Sequence, residues 1–241
     1  MNEVIRQLRE RKSVRAFEDR PIGQAEKTAI LQAAAEAPTA GNQQLYTILD
    51  ITDPELRLAL ADTCDHQSMI GRAPMVLVFC ADCKKWYDGF LAAGCQPRKP
   101  EAGDLMLAVC DTLIAAQNAV TAAWSLGIGS CYIGDVMENC QAQRDLLHLP
   151  EYVFPAAMVI FGYPTEQQKN REKPARAAME YVAQENGYRQ LSPGELKAMW
   201  TPRAGKLSYE EWMHRFCARK FDSEFSREMS RSVEEYLSQY R

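Results

Sequence analysis

Residues 126–134 read Leu-Gly-Ile-Gly-Ser-Cys-Tyr-Ile-Gly, and the reading of this stretch decides the fold. It contains G-x-G, yet no third glycine follows at the spacing of a dinucleotide-binding turn. It also leads into a strand-like segment, 130–133, whereas a nucleotide-binding glycine loop leaves a strand and opens a helix. A dinucleotide fingerprint is thus disfavoured, and the glycines read as the end of a helix. That helix is the longest periodic pattern in the chain, 103–126, with Leu105, Val109, Leu113, Ala116, Val120 and Ala123 on one face. Much of its remaining surface is small or apolar, which predicts a central, buried helix. Downstream, Asp135 is expected to cap a helix running to about 147, and 153–162 reads as a buried strand closed by Tyr163-Pro164.

Working outward, 75–81 is a continuous apolar run, expected as a strand covered on both faces. Residues 45–51 alternate loosely and read as β. Asp53-Pro54 supplies an N-cap followed by proline at the first helical position, opening a helix toward Cys64. Residues 24–37 are alanine-rich and helical, ending before Pro38. Val4, Ile5 and Leu8 give 2–9 a short amphipathic helix, and 83–100 reads as an irregular connection. After Pro164 the chain becomes charge-rich with isolated aromatics, among them Trp200, Trp212, Phe216 and Tyr236, and shows no core of its own. The expected organisation is one domain of interleaved helices and strands over 1–182, with an extension over 183–241 that packs on the body or on a partner subunit.

Composition bounds the function. The 241 residues are 46% hydrophobic and 25% charged, an ordinary globular balance. A net charge of −4 argues against a nucleic-acid binder held by bulk positive charge. The longest apolar runs, 75–81 and 156–162, fall far short of the about 20 residues of a membrane span. No apolar stretch of signal-peptide type stands at the N-terminus. The eight cysteines therefore read as reduced thiols in a cytoplasmic protein. Cys80 and Cys83 form C-x-x-C, but no second pair or nearby histidine completes a zinc set, so no metal is expected. Helix-start signals after Cys80 are weak, which favours inert thiols over a redox pair.

Arg11, Lys12, Ser13 and Arg15 cluster within five positions, a set that can grip a phosphate through guanidinium, ammonium and hydroxyl donors. Lys173 and Arg176 form a second basic pair after the last strand. Pro38-Thr39-Ala40-Gly41-Asn42 is a loop of small residues where a flat ring can approach the backbone, and Asn42 offers a donor and an acceptor to a heterocycle's edge. Taken singly, each reads equally as a solvated turn or an ordinary connection.

Their order and spacing are more specific. R-K-S-V-R-x-F at 11–17, A-P-T-A-G-N-Q-Q at 37–44, D-H-Q-S-M-I-x-x-A-P at 65–74, A-x-x-L-G-I-G-S-C-Y-I-G at 123–134, G-Y-P at 162–164 and K-P-x-R at 173–176 follow one another along the chain. Together they resemble the FMN-dependent nitroreductase family over about residues 3–182. The resemblance implies an α+β, nitroreductase-like fold: a central mixed sheet flanked by helices, in an intertwined homodimer with two FMN sites between the subunits. It implies that Arg11, Lys12 and Ser13 hold the FMN phosphate, with Lys173 and Arg176 closing over it. Arg15 would lie near N1 and O2 of the flavin, and Gln67 would bond the flavin edge. Pro38, Thr39, Ala40 and Asn42 would come from the partner chain. Cys131, Tyr132, Ile133 and Gly134 would run along the ring.

The chain departs from common family patterns at Ala175, where many members place the arginine that here follows as Arg176. Ile133 stands where some members have glutamate, and Gln44-Leu45-Tyr46 replaces Gln-Pro-Trp. The implied activity is ping-pong electron transfer from NAD(P)H to a nitroaromatic, quinone or other conjugated acceptor. The chemistry would be carried by the flavin, without a catalytic side chain. The residues alone leave open a flavin-storage protein, a relative using FMN for dehalogenation or product oxidation, and a thiol protein using Cys80 and Cys83.

Overall fold

Met75–Asp82 (β2) and Val153–Gly162 (β4) are buried along their whole lengths, so each must lie between two layers. In the computed structural model, which describes residues 1–241, they pair at the centre of a four-stranded sheet. The strand order is β1-β2-β4-β3, with Tyr46–Asp50 (β1) and Gly129–Ile133 (β3) at the edges. All three ladders are antiparallel; the parallel component of the mixed sheet expected from sequence is confined to one bridge, Ser13 to Ser130. The β2–β4 register shifts between Phe79 and Cys80, beside Pro155. Proline has no N–H for the ladder, and a bulge is one of the few places a sheet accepts it.

The helices are Glu3–Glu10 (α1), Gln24–Ala35 (α2), Pro54–Thr63 (α3), Ser68–Arg72 (α4), Lys84–Ala92 (α5), Ala102–Ser125 (α6), Cys140–Leu147 (α7), Glu166–Asn170 (α8), Met179–Val182 (α9), Pro193–Trp200 (α10), Tyr209–Lys220 (α11) and Glu224–Leu237 (α12). The alternation of β2 sorts its side chains onto two cores. Leu77 and Phe79 join Val159 and Phe161 against Ile30, Ala34, Ala116 and Val120 of α2 and α6. Val76 and Val78 join Met158 and Ile160 against Leu60, Ile70 and Leu147 of α3, α4 and α7. α6 is long and apolar enough to cross a membrane by length and composition alone. Here its Ala115, Ala116, Ala119 and Ala123 are fully buried in the core with the sheet, and their small size lets helix and sheet approach closely.

Three local expectations change. Residues 83–100 are not irregular throughout, because α5 forms over their first half. α4 is only five residues long, too short to announce itself by periodicity. Asp135 opens a single 3-10 turn, and α7 begins at Cys140 after Asn139 adopts φ +49°. The cap of α7 is non-local: the Asn139 N–H donates to Glu228 Oε1 at 3.1 Å and the Cys140 N–H to Ser232 Oγ at 3.0 Å. A partner 89 residues away leaves no local sequence signal.

The chain divides into two compact units, Met1–Arg171 with Glu228–Arg241, and Glu172–Arg227. In the first, Tyr236 and Tyr240 of the C-terminal segment are buried with Phe154 and Tyr152. In the second, Ser192 and Ser208 cap α10 and α11 through capping boxes with Glu195 and Glu211. Trp212 stacks on Phe216 at 5.1 Å, and the Arg203 guanidinium lies over Trp200 and Trp212.

Candidate functional site

The arm after α1 builds one half of the candidate site. Its Val14 N–H donates to Ser130 O at 2.8 Å, adding a short length of backbone to the outer edge of β3. The approach is close enough that a Cβ on Gly129 would lie 2.5 Å from Val14 Cγ2, so only glycine fits. Farther on, Glu18 N–H donates to Tyr163 O at 2.8 Å and Thr165 N–H to Ala16 O at 3.3 Å. Lys12 Nζ donates to Lys169 O at 2.7 Å and to Arg171 O, and Arg171 Nη2 donates to Ser13 O. Two of the three Lys12 donors thus hold the chain after β4, leaving its charge and one donor for a ligand. The arm is fixed between β3 and the segment 163–171.

The charges of this arm are unmatched. Neither the Arg11 nor the Arg15 guanidinium pairs with a carboxylate, and Arg171 Nε is buried without a partner. Nearby Lys169, by contrast, meets Glu18 at 3.0 Å and Glu166 at 2.7 Å. Burial raises the Cys131 thiol, while Arg15, Ser13 and Arg11 oppose the rise. Burial pushes the Tyr132 phenol up to about 12, with Arg11 again opposing. Arg11, Ser13, Arg15, Cys131 and Tyr132 therefore share one neighbourhood. Beyond Ser130 no strand pairs with the outer edge of β3, and Ile133 and Gly134 continue that edge. Such an edge presents backbone donors and acceptors to a flat heterocycle.

Pro38, Thr39, Ala40 and Asn42 lie elsewhere. Their loop leads into β1, at the opposite sheet edge from β3. At about 4.8 Å per strand, three spacings separate the two edges by about 14 Å. Gly41, Asn42 and Gln44 have φ of +58°, +56° and +51°. Asp111 holds this turn: its carboxylate, 3% exposed in the middle of α6, accepts Ala40 N–H at 3.0 Å and Leu45 N–H at 3.4 Å. Thr39 Oγ1 accepts Gln44 N–H at 3.2 Å. The Asn42 side chain remains exposed. Gln67 stands at the N-terminus of α4, half-buried, and its side-chain amide makes no hydrogen bond within the chain. Lys173 and Arg176 fall in the second unit, in the extended segment before α9.

Sequence reasoning did not single out Asp111 or Arg171. Asp111 had one signal, a lone carboxylate inside the apolar pattern of α6. Arg171 had none, because its role depends on the return of the chain beside Ser13.

A cavity of about 310 Å³ adjoins the Asn42 loop, walled by Trp86, Tyr87, Phe90 and Leu107 with Arg98 and Asp104 at its side. The Trp86 indole N–H donates to Gln43 O at 2.7 Å, tying α5 to that loop. Cys80 and Cys83 are buried, and burial pushes both thiols up to about 12. Thiolate chemistry at neutral pH is disfavoured there.

With the fold and these two half-sites described, comparison with known proteins places the chain. The Nitroreductase family matches residues 8–163, and the protein belongs to that family. It is 30% identical over 240 residues to an FMN reductase [NAD(P)H] of Bacillus subtilis, covering 98% of this chain and 91% of the relative. It is 35% identical over 191 residues to an oxygen-insensitive NADPH nitroreductase of Salmonella typhimurium, covering 79% and 77%. Among solved structures, the hypothetical oxidoreductase YcnD of Bacillus subtilis superposes with a TM-score of 0.83 at 27% identity, over 98% of both chains.

Proposed function

We propose that the protein is an FMN-dependent NAD(P)H oxidoreductase that reduces nitroaromatics, quinones or other conjugated acceptors. The observation that carries this reading is the meeting of a bare cationic arm, 11–15, with the unpaired edge of β3 at 131–134. The residues fit FMN on their own chemistry. Two guanidinia without acidic partners and the orphaned Arg171 Nε suit a phosphate, which carries close to two negative charges at neutral pH. The strand edge suits a planar ring. FMN, when bound, takes two electrons from NAD(P)H and passes them to the acceptor.

The chain's own part is binding, orientation and field. Arg11 and Ser13 grip the phosphate, with the Lys12 charge behind them. Arg15 opposes the negative charge that reduction places on the pyrimidine edge. Gln67 bonds the flavin edge, and Cys131, Tyr132, Ile133 and Gly134 line one side of the ring. Protons are supplied by water, so no side chain has to act as acid or base.

Pro38, Thr39, Ala40 and Asn42 complete the site from a second copy of the chain. Support comes from topology, since the two half-sites stand at opposite edges of one sheet. Further support comes from Met106, Leu107, Leu113 and Ile114 of α6, each at least 40% exposed although α6 is otherwise a core helix. A cytoplasmic, homodimeric enzyme accommodates these features and the reduced cysteines. Residues 183–241 form an extension to the FMN-binding part at 1–182.

The experiment is an absorbance spectrum of the purified protein before and after anaerobic NADPH or NADH, followed by addition of a nitroaromatic. A flavin spectrum that bleaches and then returns is expected. A colourless protein that takes up no added FMN would refute the proposal, and a coloured protein that neither nicotinamide bleaches would favour flavin storage.

A further inference from the structure

We propose that Arg72 is a second cation at the pyrimidine edge of the flavin, acting with Arg15 across one small cavity. The inference rests on the FMN reading above and extends it to a residue that stands only at a variable position of the 65–74 motif. A cavity of about 190 Å³ is lined by Arg15, Ala16, Phe17, Met69 and Arg72. Arg15 comes from the N-terminal arm and Arg72 from the end of α4, the helix that Gln67 precedes as N-cap. Two cationic side chains from two chain segments thus border one cavity.

The charge state of this cavity is unusual. Arg72 Nη2 donates to Ser68 Oγ at 2.8 Å, a neutral partner one turn away. Neither Arg72 nor Arg15 forms an ion pair, and no carboxylate lines the cavity. Two like charges that face one small space raise each other's energy, and a negative group between them lowers it. Ala16, Phe17 and Met69 supply an apolar wall beside the two exposed guanidinium groups. A planar edge that becomes negative only on reduction matches this arrangement better than a permanently neutral one. A cation that contacts the reduced state more strongly than the oxidised state shifts the equilibrium toward reduction. An arginine placed only to meet the carbonyl end of α4 would act on helix stability and leave that equilibrium alone.

The test uses the FMN-loaded protein in four forms: unaltered, Arg72→Gln, Arg72→Lys and Arg15→Gln. The midpoint potential of the bound flavin is measured by anaerobic titration against a reference dye, and Tm is measured alongside. Arg72→Gln is expected to lower the two-electron equilibrium constant about tenfold, which is about 30 mV. Arg72→Lys should retain most of the potential, and Tm should hold in both. If Arg15→Gln lowers the potential and Arg72→Gln does not, Arg72 has no part in the site while the FMN reading stands. If both leave the potential unchanged, the pyrimidine edge lies elsewhere and the inference falls. If Arg72→Gln instead raises KM for a carboxylated nitroaromatic at unchanged potential, the cavity serves the acceptor, and the assignment to flavin is overturned. A protein that retains no FMN in any form would remove the reading on which the inference rests.

Discussion

Two polar regions of the first unit are built from similar residues and end in opposite states. Around the N-terminal end of α7, the groups that cap the helix all find partners on the C-terminal helix, although Gln143 Oε1, Arg144 Nη2 and Tyr240 OH nearby are buried without one. Glu228 accepts from Arg231, from the Ser232 hydroxyl at 2.7 Å and from the Asn139 N–H, and these contacts hold its carboxyl down at about 2. Ser232 in turn accepts the Cys140 N–H, and Tyr236 packs edge-on against Phe154 at 5.1 Å. Along the arm at β3, Arg11 and Arg15 find no acid and Arg171 Nε is buried alone. A satisfied network fixes a backbone, whereas an unsatisfied one stores an electrostatic preference that a ligand can claim. The first region holds the architecture, and the second is where the proposed FMN site lies.

Alkali should break the satisfied region most completely. Burial, followed by the charges of Asp135 for Cys64 and of Asp104 for Cys83, pushes both thiols up to about 12; burial also raises the phenols of Tyr236 and Tyr240. In the unfolded chain a thiol titrates near about 8.5. Above that pH the unfolded state binds fewer protons than the folded state, so stability falls as pH rises. The contribution is intact below about 8.5 and is lost on the way to about 12. Melting curves from neutral pH upward should show Tm dropping through this window, and a flat Tm to the end of it would contradict the burial of these groups.

Tyr236→Ala should come next, at about 3–5 kcal/mol of stability, because it empties a fully packed aromatic site. Denaturant titration would read it, with FMN affinity in the surviving folded fraction unchanged. Arg11→Ala tests the other region. It should weaken FMN binding about 10- to 150-fold, the equivalent of one charged hydrogen-bonding group at about 1.5–3 kcal/mol, with little change in the Tm of the apoprotein. A loss of Tm with intact FMN affinity would exchange the roles of the two regions. Ser232→Ala is the mildest, at about 1 kcal/mol from one lost helix-capping contact. It should alter stability alone, and an effect on flavin affinity would show that the cap also positions the β3 edge.

The elements legible in the sequence were those whose signal is local. β2 and β4 were readable from continuous apolar runs, α3 from Asp53-Pro54, and α6 from a periodic face closed by Gly127. The arm and the β3 edge were legible through the motif resemblance. α4 was missed because five residues cannot display a helical period, and α5 because it is only nine residues long, is interrupted by Asp88-Gly89 and is followed by an irregular proline-bearing stretch. The start of α7 was misplaced because Asp135 resembles a cap, while the groups that satisfy the helix end come from Glu228 and Ser232. For the same reason Asp111 and Arg171 carried no motif of their own.

The sequence by itself determined which segments are apolar on one face or both, where helices start and stop on local caps, and which basic residues lack acids beside them in the chain. Hydrophobic period and local hydrogen bonding operate over a few residues, so composition suffices for them. Tertiary structure alone decided which cations stay unpaired once distant carboxylates and carbonyls have come near. It also decided that the arm lies against β3 while the Asn42 loop stands beyond the opposite edge of the sheet. Those outcomes depend on strand order and chain return, in which neighbours in space are separated by a hundred residues or more, and electrostatic partnership follows distance in space rather than position in the chain.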